Sequence, residues 1–161
     1  MVGDAHVLEV IDTAFRSAVK PKHFTNYQHC EECAEHDETL RQRDRDTLRL
    51  EDIGSPGWDP LCFTSPEGKA YYFPALARFA LTAPTYQYGW YGDQLLFHLT
   101  SGGRHNDFLA YCSPAQRYAV SLLLEHVVLT RASAPEVLSS QDELLQAYEL
   151  WSTYPPTRSA A

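Results

Sequence analysis

Ser113-Pro114-Ala115-Gln116-Arg117-Tyr118-Ala119-Val120-Ser121-Leu122-Leu123-Leu124-Glu125-His126-Val127-Val128-Leu129-Thr130-Arg131 is the stretch that decides the fold class. Ser113 and Gln116 stand at capping-box spacing, and Pro114 occupies the first helical position, where its missing N–H costs nothing. Val120 and the apolar runs 122–124 and 127–129 leave this helix apolar almost all round, as a central buried helix must be. A mainly helical domain has to be built around it.

Working outward, Ser140 and Glu143 form a second box, and Leu144, Tyr148 and Trp151 stripe a last helix. Residues 155–161, after Pro155-Pro156, read as a frayed tail. Upstream, Val7, Leu8, Ile11, Phe15 and Val19 recur at helical spacing over 5–19, with Asp4 placed to cap the first turn and Pro21 to end it. Asp93 is placed to cap a helix over 94–100 that Gly102-Gly103 closes, and 107–112 fits one short helical turn. Between them, 61–64, a Ser65-Pro66-Glu67-Gly68 turn and 69–73 predict a hairpin, with Pro74 starting a short helix over 75–81. The expected fold is mainly α: a single helical domain over 1–154 with one small β-hairpin at about 61–73.

Composition narrows the function classes. The chain has 161 residues and a formal net charge of -8, from 21 acids against 13 bases. Such a charge disfavours nucleic acid and anionic membrane as partners and suits a basic protein. The chain opens without a signal-peptide pattern, and no apolar run approaches the roughly 20 residues of a membrane span, so a cytoplasmic location is expected. Cysteines there are thiols, metal ligands or small core residues rather than disulfides.

Soft metal ligands concentrate in His29-Cys30-Glu31-Glu32-Cys33-Ala34-Glu35-His36-Asp37, which holds two of the four cysteines and two of the seven histidines. Three geometries are open. In a knuckle, Cys30 and Cys33 bind one zinc with His36 or His29 as third ligand. In a helix, His29, Cys33 and His36 fall on one face, though the full span of about 10.5 Å is too long for one ion. In the third, the thiols are packing. Asp37 and His105 are the fourth-ligand candidates by residue type. A thioredoxin-like role fails because no parallel sheet surrounds Cys30-Glu31-Glu32-Cys33, and its two glutamates oppose a thiolate.

His36-Asp37 also invites comparison with the HD phosphohydrolases, with His6 or His23 before it and Asp93 or Asp107 after it. No G-x-S-x-G, H-E-x-x-H or phosphate-binding glycine loop is present. His98 and His126 read as helix histidines, and Cys62 and Cys112 as small core residues. The loop over 82–92 holds Tyr86, Tyr88, Trp90 and Tyr91. These either plug the core or, as an exposed set, anchor a protein partner.

Three blocks together resemble an uncharacterised family of small bacterial proteins: H-C-x-E-C-x-x-H-D at 29–37, R-D-x-D-T-L at 43–48 and G-x-P-G-W-D-P-x-C-F at 54–63. Segments 71–79 and 90–98 fit the same pattern. The resemblance implies bacterial origin and one compact domain, and it carries no activity. Small size, acidity, aromatic loops and the missing catalytic set lead to a non-enzymatic protein-binding protein, most concretely an immunity-type protein that neutralises a toxin or effector. Structural zinc at Cys30, Cys33, His36 and His29 accompanies that reading. The alternatives are a metal-dependent hydrolase centred on His36 and Asp37, or a zinc-stapled regulatory module.

Overall fold

The computed structural model describes residues 2–154, in which the long apolar stretch is the longest helix, buried on one side and exposed on the other at Tyr118, Glu125 and Leu129 rather than buried all round. In chain order the described residues form α1 (Asp4–Phe15), α2 (Glu31–Arg41), α3 (Leu50–Ile53), α4 (Pro66–Ala80), α5 (Gly92–Thr100), α6 (Asp107–Tyr111), α7 (Pro114–Arg131), α8 (Pro135–Leu138) and α9 (Gln141–Thr153). Short 3-10 turns occupy Pro56–Trp58, Pro60–Phe63 and Gly103–His105. The mainly helical expectation holds.

The capping box at α7 forms as its residues predict: Ser113 Oγ accepts from Gln116 N, and Gln116 Oε1 accepts from Ser113 N. From there α7 packs on α1 and α9, α1 on α4, α4 on α5 and α6, and α5 on α9. An aromatic chain ties four of these helices. Phe15 lies 4.8 Å from Phe73, Phe73 5.8 Å from Phe108, and Phe108 5.5 Å from Trp151. Each such pair adds about 1 kcal/mol beyond its buried area. α2 lies to one side, its main contact being the turn Pro60–Phe63.

Five expectations need correction. Among the described residues there is no strand, only an isolated bridge between Thr85 and Gly89, so the hairpin at 61–73 does not exist. Ser65-Pro66 is a helix start rather than a turn: Ser65 Oγ accepts from Gly68 N, and Pro66 is the first residue of α4. Pro74 therefore lies inside α4 instead of opening a helix. The missing hydrogen bond costs about 3 kcal/mol, which burial of Ala70, Tyr72, Phe73, Ala75, Leu76 and Ala77 on the same helix offsets. Asp4 does not cap α1, because its carboxylate is drawn to Arg131 and His126 of α7. Ser140 makes no cap bond either; its hydroxyl donates to Asp93 of α5. The tail at 155–161 lies outside the described residues.

Arg45, in the loop after α2, joins helices that do not touch it in sequence. Its Nη2 donates to Phe15 O and Ala18 O at the end of α1, at 2.7 and 2.8 Å. Its Nε donates to Tyr71 O at 2.6 Å, in the turn of α4 that Pro74 perturbs. The guanidinium also covers the Tyr71 ring at 4.7 Å. A lysine cannot reproduce this planar fork. Arg45→Lys is expected to cost about 2 kcal/mol, as bonds to a charged donor are lost, and urea unfolding at neutral pH measures it.

Candidate functional site

Residues 23–37 fold into one corner because α2 needs partners at its N-terminus. Cys30 is its N-cap, in extended conformation, and Cys33 N donates to Cys30 Sγ at 3.4 Å. Thr25 Oγ1 donates to Cys33 O at 2.6 Å, which pins the incoming chain on the first turn. His29 Nδ1 then lies 3.8 Å from Cys33 Sγ. One donor atom each from His29, Cys30 and Cys33 lies within 4.8 Å of the others. The Cys33 N–H, His29 and the Cys33 thiol hold the Cys30 thiol below its ordinary pKa, while Cys30 and burial push Cys33 up. The helix N-terminus thus favours a thiolate on Cys30. This group could hold a metal ion.

His36 is not in that group. Its imidazole is fully buried, stacked on Phe63 (5.3 Å, 17°) and tilted against Trp58 (4.6 Å, 52°). Nε2 meets Glu32 Oε1 at 3.3 Å, and Nδ1 is buried without a partner. Asp37 turns the other way. Oδ1 accepts from Phe24 N at 2.6 Å and Thr25 N at 3.2 Å, and Oδ2 lies 2.8 Å from His23 Nδ1. Burial alone would raise this carboxyl, but His23 and the two N–H donors outweigh it and hold it below the usual range. Neither His36 nor Asp37 belongs to a convergent donor group among the described residues, so the geometry offers no fourth metal ligand there and no support for a His36-Asp37 centre. His105 lies in the turn Gly103–His105, outside the group.

The aromatic set of 86–91 does not form one exposed face. Trp90 is buried and donates Nε1 to Ala80 O at 2.8 Å, and Tyr91 is buried as well. Tyr86 is fully exposed and Tyr88 half-buried. Trp90 and Tyr91 are core residues because Gly92 lets the indole fold back: a Cβ on Gly92 would meet the Trp90 ring at 2.1 Å. The exposed aromatics with rigid support are instead Trp58 (46% exposed) and Phe63 (44%), both held against His36. Beside them, His23, Asn26, Cys62, Phe63 and Lys69 line an open groove of about 490 Å³.

A second donor group escaped the reading of the sequence. Asp59, Cys62 and His98 bring one donor atom each within 4.8 Å of one another. Asp59 and His98 are buried, whereas Cys62 is exposed rather than a core residue. The local signal was Asp59-x-x-Cys62 in a proline-framed turn; the histidine comes from α5, too distant in sequence for any spacing rule.

No protein-family model, no curated protein and no solved structure matches the chain. None of the described helices is long and apolar enough to cross a membrane.

Proposed function

We propose that this chain is a non-enzymatic protein-binding protein whose docking face is the outer side of α2 and the turns packed on it, stapled by zinc at His29, Cys30 and Cys33. The observation that carries the reading is the pair Trp58 and Phe63, each nearly half exposed yet fixed against the buried His36 ring. Aromatic side chains already held in place lose little entropy on docking, which suits them as interface anchors. On α2 the exposed Glu31, Glu35 and Glu38 give the face an acidic helix, favouring a basic partner. Two thiolates and an imidazole are a zinc donor set, and two thiolates neutralise the ion. In its most concrete form the partner is a toxin or effector neutralised by occlusion.

The test is affinity purification of the tagged chain from its own host, wild type beside a Trp58→Ala/Phe63→Ala variant of unchanged circular dichroism. The expected outcome is a stoichiometric basic protein with the wild type and at least a tenfold loss of affinity in the variant, about 1.4 kcal/mol or more. Equal recovery by both would remove this face from the account.

A further inference from the structure

We propose that Asp59, Cys62 and His98 form a second metal site, for a divalent ion of the zinc class, opening onto the groove beside Phe63. The three donors are a carboxylate, a thiol and an imidazole, converging within 4.8 Å from a 3-10 turn and from α5. Borderline divalent ions take this mixed set, whereas magnesium and calcium take oxygen alone.

Asp59 is oriented before any ion arrives. Its Oδ1 accepts from Leu61 N at 2.9 Å. Its Oδ2 accepts from Gln94 Nε2 at 2.9 Å, and Gln94 is itself fixed by Ile53 O at 2.8 Å. Such outer partners aim a carboxylate ligand and set its affinity. His98 Nε2 lies 2.7 Å from the same Oδ2, close enough to share a proton. On metal binding His98 takes the tautomer that carries its proton on Nδ1, which frees the Nε2 lone pair, the Cys62 thiol releases its proton to solvent, and the ion takes both places. One carboxylate, one thiolate and a neutral imidazole then cancel the charge of a divalent ion.

A purely structural Asp59–His98 pair accounts for the short hydrogen bond but not for the thiol that converges on it. The Cys62 thiol is exposed and lines the groove with His23, Asn26 and Lys69, so the site has an entry path.

The test uses cobalt(II) as the probe on a Cys30→Ser/Cys33→Ser chain, in which α2 offers no thiol ligand. One equivalent with a thiolate-to-cobalt charge-transfer band is expected. Adding Cys62→Ser, a change at an exposed position, should abolish the band and weaken binding at least tenfold. In the otherwise wild-type chain, Cys62→Ser should lower bound cobalt by one equivalent. Absence of binding by the double variant, or a band and stoichiometry that survive Cys62→Ser, would overturn this site while leaving the α2 group untouched.

Discussion

Asp37→Ala is expected to destabilise the fold by about 3–5 kcal/mol, because it strips the acceptor from two buried backbone donors. Phe24 N and Thr25 N both point at Oδ1, and a carboxylate only 3% exposed leaves no room for water to replace it. For a chain of this size that is a fall in melting temperature of about 10 °C. Asp37→Asn keeps one acceptor oxygen and should cost less than half as much. The acid dependence follows from the direction of the shift. The folded carboxyl titrates below its ordinary value of 3.8, so its contribution is complete above that value and is lost as pH falls through the lower folded value. The gap between wild type and Asp37→Asn should therefore narrow from pH 5 toward pH 3, as chemical denaturation would measure. A gap constant across that range would mean that the charge of Asp37 contributes nothing.

The second large effect is on metal. Chelation of the zinc proposed at His29, Cys30 and Cys33 is expected to remove binding energy that the folded state alone enjoys, about 2.7 kcal/mol at a metal concentration a hundredfold above Kd. Melting should fall by about 5–10 °C when chelator is added to the wild type. In Cys30→Ser/Cys33→Ser the response to chelator should shrink by that amount. Serine is itself a good N-cap, so Cys30→Ser preserves the start of α2 and isolates the loss of the ligand. An unchanged chelator response in the double variant would assign the thiols to packing.

What could be read from the sequence was local. Ser113-Pro114 with Gln116 announced α7 because all the signals of its start lie within four residues, and they formed as written. Ser65-Pro66 uses the same grammar, yet Gly68 and the Tyr71-Tyr72-Phe73 run imitate a turn and a strand. What makes that run helical is non-local: Tyr72 hydroxyl donates to Leu40 O and Arg43 O at the end of α2. Ser140 failed as a cap for the same kind of reason, since Asp93 competes for its hydroxyl. At the candidate site, the C-x-x-C spacing and His29 were legible because one turn of helix brings them together. His36 looked like a ligand by spacing, but Trp58 and Phe63 enclose it from another segment. Asp59, Cys62 and His98 meet only through the packing of α5 on the 59–62 turn, which no pattern along the chain encodes.

The proposed docking face rests on a metal staple at His29, Cys30 and Cys33, proposed from their convergence at the start of α2. Native mass spectrometry of protein purified without chelator, wild type beside Cys30→Ser/Cys33→Ser, tests it most directly. The double variant is predicted to carry one zinc fewer than the wild type while keeping its helical circular dichroism. Equal metal content in the two proteins, or none in the wild type, would contradict it.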